Sequence, residues 1–170
     1  MGYFVEYNLY LKISNKNKKR ALEIFNHLHS DEMLLRYAQG GSFIGGEDNR
    51  PVRERKWYSW VENPLEPYKN LTEAFKNWGI VEENVMIEEK NGCHFTIDGS
   101  YYSKLGQQAF LLSQLAPVLK NEVIYVKGED GCLFAWVIEN GEFREVDLTI
   151  QVEENQSDEE TESDNDDEGF

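Results

Sequence analysis

Residues 3–13 read YFVEYNLYLKI and carry the clearest strand signal in the sequence. Apolar side chains occupy every second position, and the positions between them include the polar Glu6, Asn8 and Lys12. Successive side chains of a strand point to opposite faces, so a period of two over this length is typical of a β-strand. The segment therefore predicts a long strand with one core face and one outer face.

Beyond this strand the spacing of apolar residues becomes helical. Ala21, Phe25 and Leu28 form one stripe in a helix that we expect to begin at about Lys16, and Ser30 is placed to cap a second, short helix. A third short helix is expected over 71–78, with Asn70 or its neighbour as its cap and Gly79 as its stop. A second long amphipathic helix is expected over 104–119.

The other periodic segments read as strands joined by tight turns. They are residues 55–61, 85–89, 94–97, 123–127, 132–138 and 146–152. The dipeptides Asn91-Gly92 and Asn140-Gly141 favour two-residue hairpins, and the stretch from Gly128 to Gly131 favours another turn. The pattern predicts an α+β class: a mostly antiparallel sheet of about six to seven strands with two main helices on one face.

Charge divides the 170-residue chain into two unequal parts. The formal net charge is −15, but residues 1–152 hold 22 acidic and 17 basic residues, a net −5. The acidic side chains that follow are Glu153, Glu154, Asp158, Glu159, Glu160, Glu162, Asp164, Asp166, Asp167 and Glu168. Such a segment has too few apolar groups to offset the entropy of ordering its backbone. We predict a single α+β domain over 1–152 and a disordered acidic tail over 153–170.

The tail suggests a function in recruitment by charge. Dense negative charge attracts basic partners, although a tail of this kind also serves solubility alone. The leading hypothesis is a non-enzymatic intracellular interaction protein that binds a basic protein partner through its acidic tail and surface.

A second hypothesis rests on a basic and aromatic segment of the body. Basic residues beside aromatic ones can bind a nucleotide or nucleic acid by phosphate pairing and base stacking. The net negative charge of the body disfavours nucleic acid, so this small nucleotide- or nucleic-acid-binding domain is the alternative. The segment contributes the predicted binding residues Arg50, Arg53, Arg55, Lys56, Trp57, Tyr58 and Trp60.

No pattern in the sequence indicates an enzyme, a metal site or a cofactor. The histidines His27, His29 and His94 and the cysteines Cys93 and Cys132 have no metal-ligand spacing, and no nucleophile or phosphate-loop motif occurs. No apolar run approaches the length of about 20 residues that spans a bilayer, so no membrane partner is expected. The first residues do not read as a signal peptide, which predicts an intracellular protein.

Several motifs together resemble a known but uncharacterised family. They are KWYSWV at 56–61, LAP at 115–117 and GEDG at 128–131, followed by Trp136 and Gly141. The combination, spread over roughly residues 1–145, resembles a small α+β domain found in uncharacterised proteins of large DNA viruses and some bacteria. The resemblance implies a viral or accessory protein and carries no catalytic or binding residues.

Overall fold

The computed structural model describes residues 3–36, 61–80, 86–89, 94–104 and 107–149. Within them the strands are β1 (Phe4–Ile13), β2 (Met86–Glu89), β3 (Phe95–Lys104), β4 (Glu122–Gly128), β5 (Leu133–Glu139) and β6 (Glu142–Asp147). The helices are α1 (Lys18–Leu28), α2 (Asp31–Arg36), α3 (Leu71–Asn77) and α4 (Gln107–Leu115). Short 3₁₀ turns at Asn15–Asn17 and Ala116–Val118 precede α1 and follow α4.

The described strands form one antiparallel sheet in the order β2-β3-β1-β4-β5-β6. β1 pairs along its whole length with β3, and the start of β1 pairs with the end of β4. Tyr7 consequently lies opposite Tyr101 on one side and Val126 on the other. The α+β class predicted from the sequence is confirmed by this sheet and its helices.

One face of the sheet forms the core under the helices. Val5, Tyr7, Leu9, Leu11 and Ile13 of β1 are all buried, as the alternation predicts. Aromatic rings join the sheet to the helices: the Phe25 ring of α1 lies 4.8 Å from that of Phe75 in α3, which stacks 5.4 Å from Phe95 of β3. The opposite face, which we call the outer face, has no helix of the described residues packed over it.

The predicted helix caps are confirmed. The Asn70 side chain accepts a hydrogen bond from the Glu73 backbone N–H (2.8 Å), and Gly79, just past α3, has a φ of 71°. Ser30 Oγ accepts from the Met33 N–H (3.3 Å) at the start of α2. Asn140 and Gly141 both have positive φ, 54° and 82°, as the predicted hairpin turn between β5 and β6 requires.

Three predicted boundaries were wrong. Lys104 was placed in a helix but is the last residue of β3, because β3 continues for as long as it can pair with β1. The α-helix after it ends at Leu115, where Pro117 lacks the N–H that another α-helical turn needs. The last described strand covers 142–147 and so begins four residues before the predicted start at Val146, because its register follows from the tight turn after β5. Residues 150–152 of the predicted strand lie outside the described residues. The predicted strand over 55–61 lies outside the described residues except for Val61.

Candidate interaction surface

The outer face carries a row of mixed apolar and charged side chains. Residues opposite each other on neighbouring strands share a face, and the register places Tyr102 of β3 beside Glu6 of β1. Glu6 in turn lies opposite Lys127 of β4, which lies opposite Leu133 of β5. Strands from three separate parts of the chain, β1, β3 and the β4–β5 hairpin, therefore contribute to one continuous row.

Three tyrosines on this face are exposed to solvent. The exposed fractions are 45% for Tyr10, 68% for Tyr102 and 69% for Tyr125. The Tyr102 ring stacks on Phe4 with 5.2 Å between ring centres, whereas Tyr125 lies opposite the small Ala135. Exposed aromatic side chains of this kind supply large contact areas with little loss of rotamer entropy on binding.

A shallow groove of about 480 Å³ lies next to Tyr125. Its lining comes from β1, β4, β5 and the residue after β6. The lining residues are Glu6, Tyr7, Asn8, Tyr125, Val126, Lys127, Leu133, Phe134 and Leu148. The lining combines apolar surface with one carboxylate and one ammonium group. Such a groove can hold an apolar side chain of a partner and pair a charge beside it.

The end of the sheet next to the groove is acidic. The turn after β4 brings Glu129 and Asp130 there, and β6 ends there at Asp147, opposite Phe134. All three carboxylates are exposed, as is Glu6 in the groove. The Leu148 N–H donates to the Leu133 carbonyl (3.2 Å), so the described chain leaves the sheet at this same end.

A hydrogen bond ties this turn to the start of the chain. The Tyr3 hydroxyl donates to Asp130 Oδ1 and lies over Gly128, where a Cβ atom would collide with it. This bond raises the pKa of Tyr3 to about 12 and lowers the pKa of Asp130. Asp130 also accepts from the Cys132 N–H (3.0 Å), and its hydrogen bond and charge raise the pKa of the Cys132 thiol.

The turn itself forms as the sequence predicted. The Gly131 N–H donates to the Gly128 carbonyl (2.9 Å), and Gly131 has a φ of 85°, which favours glycine. Glu129 and Asp130 are therefore turn residues, and the contact from Tyr3 gives Asp130 a further role that the sequence did not reveal.

A polar network is buried on the helix side. His29 Nε2 lies 2.8 Å from the Tyr68 hydroxyl, and His29 Nδ1 lies 3.0 Å from Asn63 Oδ1. The Asn77 amide also donates to the Tyr68 hydroxyl (2.5 Å), and burial raises the pKa of Tyr68. His27, two residues from His29, is exposed, as expected from their different directions on a helix. This network joins α1, α3 and the segment before α3, and we assign it a structural role.

The predicted binding residues and the predicted tail lie outside the described residues. This applies to Arg50, Arg53, Arg55, Lys56, Trp57, Tyr58 and Trp60, and to the acidic side chains from Glu153 to Glu168. Both predictions therefore stay predictions. Cys93 also lies outside, whereas Cys132 is an exposed free thiol.

Sequence reasoning missed Tyr125 and the groove around it. The alternation of Val123, Tyr125 and Lys127 with the buried Ile124 and Val126 was a usable signal for an outer-facing tyrosine. It could not show which residues of other strands lie beside that tyrosine.

Within the described residues, no group of three or more histidine, cysteine or carboxylate side chains is arranged to hold a metal ion. In the same part of the chain no helix is long and apolar enough to cross a membrane. Comparison with protein-family models, curated proteins and solved structures gives no match. The resemblance to a viral and bacterial domain family accordingly stays a prediction from the motifs.

Proposed function

We propose that this protein is a non-enzymatic interaction module that docks a basic segment of a partner protein on its outer face. The observation that carries the proposal is the groove beside Tyr125, which combines apolar walls with charged groups at an acidic end of the sheet. The partner segment would insert an apolar side chain into the groove and place cations beside the carboxylates.

Tyr125 is the main contact in this proposal. Its ring is 69% exposed, and Leu133 and Leu148 provide apolar surface on the other side of the groove. Tyrosine is enriched among the residues that dominate binding at protein interfaces, because one side chain supplies both apolar area and a hydroxyl.

The charge of the partner follows from the charges around the groove. Glu6, Glu129, Asp130 and Asp147 lie at this end of the sheet, against two cations in the described part of the chain, Lys127 in the groove lining and Lys104 at the end of β3. The chain continues from the same end toward the ten acidic residues of 153–168. In the proposal this acidic tail attracts the basic partner and raises its association rate, and the groove then holds it. The motif resemblance suggests a viral or accessory protein, and the first residues, which do not read as a signal peptide, suggest an intracellular setting.

The test uses a short peptide of alternating lysine and leucine and a matched peptide with glutamate in place of lysine. Binding to the full chain is measured by fluorescence anisotropy at low and at physiological salt. We expect the lysine peptide to bind and to weaken as salt rises, because charges further apart than about 8–10 Å are screened at physiological ionic strength. The glutamate peptide should not bind.

Two substitutions on the outer face test whether the lysine peptide binds in the groove. Tyr125→Ser should weaken binding of the lysine peptide roughly tenfold, which corresponds to about 1.4 kcal/mol. Tyr102→Ser is the matched control, because Tyr102 is equally exposed but lies outside the groove lining. Equal losses in both variants, or equal binding of the two peptides, would contradict the proposal.

A further inference from the structure

The opposite end of the sheet gathers positive charge in a strongly acidic protein. The Lys120 backbone N–H donates to the Lys12 carbonyl (3.1 Å), so these two lysines lie across from each other on adjacent strand segments. Their neighbours Ile13 and Leu119 form an isolated bridge in the same register. Like charges directly opposite each other destabilise a sheet, so this pairing needs compensation.

Lys18 and His94 lie near Lys12 and Lys120. Phe95 of β3 pairs with Ile13, so the preceding residue, His94, is next to Ser14 and diagonal to Lys12. Lys18 opens α1 four residues after Ser14. Burial lowers the pKa of His94, and the charges of Lys12, Lys120 and Lys18 lower this pKa further. Burial and the surrounding cations therefore both disfavour the protonated imidazole.

Two polar atoms in this cluster have no hydrogen-bond partner within the described part of the chain. They are Ser14 Oγ and His94 Nδ1, and both atoms are buried. A buried polar atom without a partner costs about 1–3 kcal/mol. A ligand oxygen among the lysines would give either atom a hydrogen-bond partner once a side-chain rotation brings that atom to the ligand.

We propose that Lys12, Lys18 and Lys120, with Ser14 and His94, form a binding site for a phosphate group. Lysine ammonium groups bind phosphate as point charges, and the hydroxyl and imidazole add hydrogen-bonding atoms. A bound dianion would offset the repulsion between Lys12 and Lys120. The site lies at the far end of the sheet from the groove, so it is independent of the proposed function.

A small phosphate-bearing ligand fits this cluster better than a nucleic acid. Nucleic acids are bound by neutralising many phosphates along a surface, and this cluster offers three lysines on a protein with a net charge of −15. The five residues of the cluster also include no phenylalanine, tyrosine or tryptophan ring on which a base could stack.

The test is a titration of the full chain with inorganic phosphate, followed by NMR. We expect saturable shifts of the His94 ring signals. Lys12→Gln combined with Lys120→Gln should weaken phosphate binding about tenfold or more, because each removes one nearby charge. The control, Lys69→Gln with Lys76→Gln, removes two exposed lysines elsewhere and should bind phosphate as the native chain does.

A second readout follows from thermodynamic linkage. An anion among the lysines relieves the repulsion on protonated His94, so binding should raise the pKa of His94. Sulfate replaces phosphate in this measurement because its charge does not change near neutral pH. Shifts that do not saturate, an unchanged His94 pKa, or equal losses in the control variant would overturn the proposal.

One further measurement separates a small phosphate ligand from a nucleic acid. A single-stranded oligonucleotide that binds more tightly than phosphate, and whose binding is weakened by the Lys12 and Lys120 substitutions, would overturn the assignment to a small ligand.

Discussion

Tyrosine side chains are buried on the helix side of the sheet and exposed on its outer face. Tyr7, Tyr68 and Tyr101 are buried on the helix side, where each hydroxyl has a hydrogen-bond partner within the protein. Tyr10, Tyr102 and Tyr125 are exposed on the outer face. The covered face forms the core, whereas the uncovered face carries the proposed binding surface. Exposed tyrosines contribute little to folding, so substitutions on the two faces separate effects on stability from effects on binding.

The largest expected loss of stability comes from a substitution on the covered face. Trp136 is fully buried, its ring lies 4.9 Å from that of Tyr7, and its Nε1 donates to Glu145 (3.0 Å). Trp136→Ala should lower the free energy of unfolding by about 3–5 kcal/mol, measured by urea denaturation. Tyr125→Ala, one strand away on the outer face, should change it by less than about 0.5 kcal/mol. Similar losses in both variants would show that the outer face also contributes to the core.

Smaller losses of stability are expected when one hydrogen bond is removed from each face. Tyr68→Phe removes the hydroxyl that joins His29 and Asn77 and leaves buried polar groups unpaired, which should cost about 1–3 kcal/mol. Ser100→Ala removes the exposed bond from Ser100 Oγ to Asn8 Oδ1 (2.6 Å) and should cost no more than about 0.5 kcal/mol. The same denaturation experiment checks both, and a costlier Ser100→Ala would reverse the comparison.

The smallest effect concerns the exposed bond between Tyr3 and Asp130, and it depends on pH. The pKa of Tyr3 is raised from 10.0 to about 12, so its contribution to stability is full below pH 10 and is lost as the pH rises toward 12. The pKa of Asp130 is lowered from its ordinary 3.8, so its contribution to stability is full above pH 3.8. This contribution is lost as the pH falls through the lowered pKa of the folded protein.

Tyr3→Phe tests this bond, with the unfolding free energy of both proteins measured across the pH range. The difference between native and variant proteins should be largest near neutral pH and should shrink at both extremes. A difference that stays constant with pH would mean that Tyr3 acts through packing alone.

Local features of the fold could be predicted from the sequence. The alternation in residues 3–13 predicted β1 and its buried side, and Asn70 and the Asn140-Gly141 pair predicted a helix start and a turn, because these signals act within a few residues. The extension of β3 to Lys104 was not predicted, because it depends on pairing with a strand about 90 residues away.

The candidate surface was beyond prediction for the same reason. Glu6, Tyr125, Leu133 and Leu148 meet only after three strand pairings have set their register. A shift of one residue in any pairing would turn a strand's outer side chains to the other face. Sequence reasoning instead chose the segment Arg50–Trp60, where basic and aromatic residues are adjacent in the chain.

Fluorine NMR of the full chain labelled with fluorotyrosine shows most directly whether the peptide binds beside Tyr125. Single tyrosine-to-phenylalanine variants assign the signals, and the lysine and leucine peptide is then added. We predict that the Tyr125 signal shifts most while the signals of Tyr68 and Tyr101, which lie away from the groove, stay in place. A shift at the buried Tyr68 with none at Tyr125 would contradict it, because the binding surface would then lie on the helix side.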